Sequence, residues 1–191
     1  LETYQGGANA EPLSGGTPTG YYLKKYCQTS INTTTAKPTT DNHTWIIYRL
    51  GEFYLNYAEA LFKYLGTAYA TNNEFPIPAN EMVSKTRRRT KVNMPKFPAG
   101  LDNKLWWEKY QNERMVELAF EGHRFWDVRR WKEGDKHFKN IVEMKITKNG
   151  DDTYTYERKV KERSWDDKMY FFPIPQSEKS KNPNLEQNPG W

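Results

Sequence analysis

The chain has 191 residues, enough for one domain or a large piece of one. Its mean hydropathy is −1.00, and no apolar run approaches the roughly 18 residues of a bilayer span, which excludes a transmembrane helix. The net charge of +5 comes from 29 Lys and Arg against 24 Asp and Glu. Acids are interleaved with cations almost everywhere, which argues against a nucleic-acid module.

The 7 Trp, 13 Tyr and 9 Phe outnumber the 24 Leu, Ile and Val, so the core is built largely on rings, and wholesale disorder is excluded. Cys27 is the single cysteine, so neither a disulfide within the chain nor a paired-thiol metal site is available. The sequence opens at Leu1 without Met, leader or lipid-attachment Cys. Such a start leaves localisation open.

Residues 1–44 are rich in Gly, Pro, Thr and Asn, which predicts a loop-rich lead-in with a strand or two at Tyr21–Tyr26 and Trp45–Ile47. The tract from Thr33 to Thr40 reads as the most mobile part. Asn32-Thr33-Thr34 and Asn42-His43-Thr44 match a glycosylation sequon too short to weigh much. Residues 45–134 read as helical pairs. From Tyr48 to Leu65 the residues Leu50, Phe53, Tyr54, Tyr57, Ala58, Leu61 and Leu65 recur at steps of three and four, predicting a helix buried on that face and stopped by Gly66. Beside it runs a row of Arg49, Glu52, Asn56, Glu59 and Lys63 that can pair along the helix.

A second helix is predicted over Ala79–Lys91, after Pro76 and Pro78. A third runs from Asp102, as N-cap, to Glu121 with Gly122 as its stop. A fourth covers His123–Glu133 and ends at Gly134. Helix, short connection and helix, repeated once, is the layout of stacked helical hairpins. Residues 135–191 read differently. Val142, Met144 and Ile146 alternate, Lys148 to Asp152 turns the chain, and Tyr154 and Tyr156 alternate again, predicting a β-hairpin. The tail from Tyr170 to Trp191, punctuated by Pro173, Pro175, Pro183 and Pro189, reads as extended or turning chain.

The densest charged segment runs from Glu113 to Trp131. Glu113, Glu117 and Glu121 fall at i, i+4 and i+8, so on one helix three carboxylates would share a face and repel. A di-iron site would need Glu-x-x-His on two helices. Val116 and Phe120 stand where His is needed, and His123 is two residues past Glu121. A glycosidase needs two carboxylates across a sugar, a gap that sequence does not fix. The third reading is structural and takes most of the weight: Arg114, Arg124, Arg129 and Arg130 pair with the glutamates, with Trp126 and Trp131 under the guanidinium planes. Lys85 to Lys91, with Arg87, Arg88 and Arg89, is the best polyanion candidate, but its cations point in several directions and read as a solvated helix face. His43, His123 and His137 are scattered, and no triad follows.

Four ordered stretches resemble one family, the SusD/RagB-like outer-membrane nutrient-binding lipoproteins. Tyr48-Arg49-Leu50-Gly51-Glu52 through Tyr57-Ala58-Glu59-Ala60-Leu61 is similar to their first helix motif. Glu113-Arg114 through Glu121-Gly122 to Arg130-Trp131 resembles their Glu-Arg segment. Phe172-Pro173-Ile174-Pro175 with Asn182-Pro183-Asn184-Leu185-Glu186-Gln187-Asn188-Pro189-Gly190 resembles their closing segment, with Trp191 where Tyr is usual. Pro18 to Tyr26 fits a weaker strand motif, and Val83 to Thr90 is a degraded form of another.

The resemblance implies a mainly α fold of tetratricopeptide-like helical hairpins, with long irregular loops, a small β-hairpin and an extended Pro-rich tail. It implies that residues 1–191 are the C-terminal part of a single such domain, with the N-terminal part and a lipidated Cys anchor upstream. It further implies a surface-exposed lipoprotein of the outer membrane in a Bacteroidetes-type cell. There it would bind an oligosaccharide (in some members peptide or another nutrient) and deliver it to a SusC-like TonB-dependent transporter, without cofactor, metal, nucleic-acid partner or catalytic residue. Sugars stack on exposed rings. The loop rings Tyr4, Tyr21, Tyr22, Trp45 and Trp165 are therefore better candidates than Trp106, Trp107, Trp126 and Trp131, whose helical spacing suits packing. No motif assigns a ligand-binding residue.

Overall fold

The computed structural model describes residues 2–8, 21–28, 31, 37 and 44–191. The sequon Asn32-Thr33-Thr34, Asn42 and His43 of the second one, the Thr33–Thr40 tract apart from Lys37, and Pro18–Gly20 of the weaker motif lie outside the described residues. Mainly helical, the chain carries six α-helices and one two-stranded antiparallel sheet among those residues. It divides into two compact units, Thr40–Phe125 and the combination of Leu1–Thr39 with Trp126–Trp191.

The unit Thr40–Phe125 holds α1 (Leu50–Leu65), α2 (Ala79–Arg87) and α3 (Asn103–Glu117). Gly66 ends α1 at φ 72°, and its N–H donates to the Phe62 carbonyl, satisfying one of the carbonyls a helix end exposes. Asp102 caps α3, its side chain accepting from the Leu105 N–H at 2.8 Å. The core joins Leu55, Ala58, Leu61 and Phe62 of α1 to Ala79, Met82 and Val83 of α2 and Trp106, Tyr110 and Leu118 from α3 and its end. Trp106 is fully buried and stacks on Phe62 (4.6 Å between centroids) and Tyr110 (5.3 Å). Its indole N–H donates to Asn80 Oδ1 at 2.9 Å, so the ring is buried without orphaning its donor.

Several expectations are corrected here. The buried face of α1 is Glu52, Leu55, Ala58, Glu59, Leu61 and Phe62, whereas Leu50 and Phe53 are exposed. The helix is apolar on two sides, and its partners decide which side is covered. α2 stops at Arg87, four residues early, because the chain turns back to place Phe97 in the core. α3 stops at Glu117, and residues 118–122 form turns with Phe120 at φ 62° and Gly122 at φ 83°. Tyr21–Tyr26 and Trp45–Ile47 form no strand.

The chain passes out of this unit within α4 (His123–Arg130), shorter than expected. In the other unit, Gly134 does not end a helix but opens α5 (Gly134–Phe138). The reason is steric: a Cβ there would stand 2.0 Å from Trp165 Cζ2, so the indole lies where a side chain would be. β1 (Asn140–Lys148) and β2 (Tyr154–Glu162) form the expected hairpin, with Val142 opposite Val160 and Ile146 opposite Tyr156. The opposite face sets Glu143 against Lys159 and Lys145 against Glu157. The tail holds two short helical pieces, a 3₁₀ turn over Asp167–Tyr170 and α6 (Gln176–Lys181). Gln187 pins the extended part like a strand partner, accepting from the Ile174 N–H (2.7 Å) and donating to its carbonyl (3.0 Å).

Candidate functional site

The carboxylate row is a structural clamp. Arg49 stands just before α1 in extended backbone, its side chain directed at the end of α3. Its Nε and Nη2 donate to Glu121 Oε2 (2.7 Å) and Oε1 (2.8 Å), a bidentate pair. Nη1 donates to Glu117 Oε1 (2.6 Å), and Nη2 also reaches the Glu117 carbonyl (2.6 Å), one of the open acceptors at the end of α3. The two carboxylates hold the guanidinium charged far above the usual range, with the Glu121 hydrogen bond the largest cause. Gly51 makes room: a Cβ would lie 2.7 Å from Arg49 Nη1 and 3.1 Å from Glu117 Oε1.

Two cations of the basic run 85–91 complete the clamp, while Arg88, Arg89 and Lys91 are exposed as a solvated face would be. Arg87 donates to Glu113 Oε2 (2.5 Å) and to the Pro95 carbonyl (2.7 Å). Arg89 donates to Glu117 Oε1 (2.7 Å) and the Thr86 carbonyl (2.9 Å), while Arg88 pairs with Glu81 and Lys85 lies over the Tyr54 ring. Burial opposes ionisation of Glu117, but Arg49 and Arg89 outweigh it and hold its pKa below the ordinary value. Three cations of the clamp thus come from sequence positions far from Glu113–Glu121.

The arginines of the segment also make contacts away from the carboxylate row. Arg114 donates to Asn56 Oδ1 (2.6 Å), and Asn56 donates to buried Glu52 (3.4 Å), which has His123 Nε2 at 3.6 Å. The Tyr110 hydroxyl donates to buried Glu59 at 3.0 Å. Burial, then the Glu59 charge, pushes its pKa up, so it stays a neutral donor. In the other unit Arg130 pairs with buried Asp127 at 2.8 Å and lies over Trp131. Arg129 sits among Phe138, Trp165 and Phe172, 5.4–5.7 Å from each ring, and burial lowers its pKa.

The loop rings separate into two groups. Trp165 is a packing residue, half-buried between Gly134, Phe138 and Tyr170. Tyr4 is half-buried at 5.8 Å from Tyr154, and the Gln5 N–H donates to the Ile146 carbonyl on β1. Tyr21, Tyr22 and Trp45 present open surface, Trp45 most at 69%. Of the helical rings, Trp106 and Trp107 pack against Phe62 as expected, while Trp126 is largely exposed and meets Phe172 edge-on. A cavity of about 320 Å³ opens beside α1, walled by Tyr57, Ala60, Leu61, Tyr64 and Phe75, with Glu74 as its single carboxylate. Sequence reasoning did not find it, because Phe75 is brought there by a turn in which the Phe75 N–H donates to Asn72 Oδ1 (2.7 Å). Among the described residues no group of three His, Cys, Asp or Glu side chains could hold a metal ion.

A helical scaffold clamped by arginine–carboxylate pairs thus carries exposed rings on its loops. A model of the SusD family matches residues 1–191, and the chain belongs to that family. Among solved structures it is similar to a SusD-like protein (BF3747) from Bacteroides fragilis NCTC 9343. The identity is 30% and the TM-score 0.77, over 96% of this chain and 33% of that one. It is also similar to BT4246, at 29% identity and TM-score 0.55, over 84% of this chain and 25% of that one. The chain therefore spans about a third of the first and a quarter of the second. No curated protein matches it.

Proposed function

We propose that this chain is the C-terminal part of a surface-exposed outer-membrane lipoprotein that captures an oligosaccharide and delivers it to a SusC-like TonB-dependent transporter. The observation that supports this reading is the family match along the whole of residues 1–191. SusD-like proteins are in general surface nutrient-binding proteins and not enzymes. The described helices are compatible with that setting, since none is long and apolar enough to cross a membrane. Sugar binding uses ring faces against C–H faces of the pyranose, with amides and carboxylates on the hydroxyls. Trp45, with Tyr21 and Tyr22, offers such faces.

Calorimetry of the longest native form against a panel of plant, host and microbial oligosaccharides tests the reading. At least one glycan should bind, and Trp45→Ala should weaken that binding by about 1 kcal/mol, roughly fivefold. Binding of peptides with no response to any glycan would replace oligosaccharide by peptide as the nutrient. Release of shortened sugars from polysaccharide would overturn the non-enzymatic reading.

A further inference from the structure

The β1–β2 hairpin has two faces of opposite character. On one, Glu143 stands opposite Lys159 and Lys145 opposite Glu157, so its charges are matched across the strands. The other sets Tyr154, Tyr156 and Val160 of β2 beside Val142 and Ile146 of β1, and it stays open: Tyr156 and Val160 are each 64% exposed, Val142 50% and Tyr154 44%. A single exposed ring needs no explanation, but a contiguous apolar sheet face does. In the middle of this face stands Arg158, itself exposed. Met144 lies opposite it across the ladder, Tyr156 and Val160 flank it along β2, and Val142 and Ile146 lie diagonally. No carboxylate pairs with Arg158 among the described residues. The acid that shares its face, Glu162, is four residues on, about 13 Å along the strand. Lys148, at the other end, is already engaged. It pairs with Asp152 at 2.8 Å and lies over the ring of Tyr4, which meets Tyr154 at 5.8 Å. Arg158 is thus an open guanidinium fork beside an open ring.

We propose that this face of the hairpin is a subsite for an acidic glycan, one that bears uronic acids; the proposal rests on the oligosaccharide reading above. A pyranose lays its C–H face on a tyrosine ring, and a guanidinium fork takes a carboxylate bidentately. Alternate residues of a strand stand about 6.8 Å apart on one face. A sugar stacked on Tyr156 therefore carries the carboxylate on its C5 to the Arg158 fork. Tyr154 and Tyr4 continue the ring surface for the next unit of the glycan. Charge decides among the occupants. A neutral sugar leaves Arg158 without a counterpart. A second copy of the face would bring a further Arg158, with Glu162 at the margin as its single acid. A uronate supplies in one residue both the apolar face and the carboxylate that this surface lacks.

Calorimetry of the longest native form tests this, with oligosaccharides of galacturonate, glucuronate and guluronate, each also after reduction of its carboxyl groups. At least one acidic form should bind about tenfold more tightly than its reduced counterpart, and the difference should shrink as salt rises. Arg158→Gln should remove that preference and leave the affinity for the reduced form in place. Tyr156→Ala should weaken both forms by about fivefold. Both side chains are exposed, so urea midpoints equal to the parent's verify that the variants keep the fold. Glycans that bind without preference for the acid, or with a preference that survives Arg158→Gln, would overturn this subsite and leave glycan capture standing. No binding of any glycan, neutral or acidic, would remove the oligosaccharide reading and this subsite with it. An oligoglutamate peptide held as tightly as the uronate, with the same loss in Arg158→Gln, would make the face a site for acidic protein segments and overturn the sugar assignment.

Discussion

Replacing Arg49 by Ala is the sharpest test of the clamp. The side chain makes four hydrogen bonds to two acidic residues, and its removal takes the bidentate partner from Glu121, whose side chain is 2% exposed. Glu117 keeps Arg89, so most of the cost falls on Glu121 and on the open carbonyl at the end of α3. Breaking a buried pair from one side costs about 3–5 kcal/mol. With Arg49 24% exposed, part of the desolvation is relieved, and about 3 kcal/mol is expected. At a urea slope of about 2 kcal/mol/M the midpoint falls by about 1.5 M. Amide exchange along α3, read as a function of urea, isolates this unit from the hairpin-bearing one. Arg49→Lys keeps the charge but loses the fork, and should cost about half as much. Arg88→Ala is the internal control: its pair with Glu81 is 41% and 34% exposed and should cost less than about 1 kcal/mol. If Arg49→Ala were as mild as Arg88→Ala, the carboxylate row would not be a clamp, and the structural reading of Glu113–Glu121 would be wrong.

The other predictions bear on acid stability, packing and capping. Glu117 has a folded-state pKa below its unfolded value, so its ionised form adds stability above the ordinary pKa of 4.5, and that stability is lost as pH falls through the lower folded value. Urea midpoints measured from pH 7 down to about 3 should drop below pH 4.5, and Glu117→Gln should flatten that drop; an unchanged slope would remove the pairing argument. Gly134→Ala should destabilise the hairpin-bearing unit by about 1–3 kcal/mol, because its methyl would meet the Trp165 indole at 2.0 Å. A near-UV circular dichroism spectrum and melting temperature identical to the parent would contradict this. Asp102→Ala should cost about 1 kcal/mol, seen as faster amide exchange confined to the first turn of α3.

What could be read from sequence is what depends on neighbours in the chain. Asp102 as a cap, Gly66 as a stop and the β1–β2 alternation were legible because a cap, a left-handed glycine and a pleat are decided within a few residues. The buried face of α1 was misread for the opposite reason. Glu52 and Glu59 were assigned to the polar row, yet both are buried, since Asn56, His123 and Tyr110 supply the partners that make burial tolerable. The clamp was legible in need but not in partner. Three carboxylates at i, i+4 and i+8 had to be neutralised, but Arg49 lies 72 positions from Glu121, and only the fold brings them together. Gly134 was read as a stop because glycine usually means backbone freedom; here it means the absence of a side chain beneath Trp165.

The same distinction explains why the family was recognisable and the ligand was not. Along the Glu-Arg segment, Glu113 holds Arg87, Arg114 holds Asn56, Glu117 and Glu121 hold Arg49, Leu118 is buried, and Gly122 makes a left-handed turn. In the closing segment, Gln187 and Asn188 bond the backbone of Ile174 and Phe172, and Trp191 bonds the Lys168 carbonyl. Each of these residues is engaged with the protein itself. Among the rings open to solvent, Tyr21, Tyr22 and Trp45 lie on loops, where chain geometry is set by no local rule that spacing could reveal. A scaffold that fixes its own geometry through clamps and amide pairs can exchange loop rings without cost to its core. Under the proposed glycan capture, substitution at Trp45 should therefore weaken glycan binding while leaving the urea midpoint in place, whereas substitution at Arg49 should do the reverse.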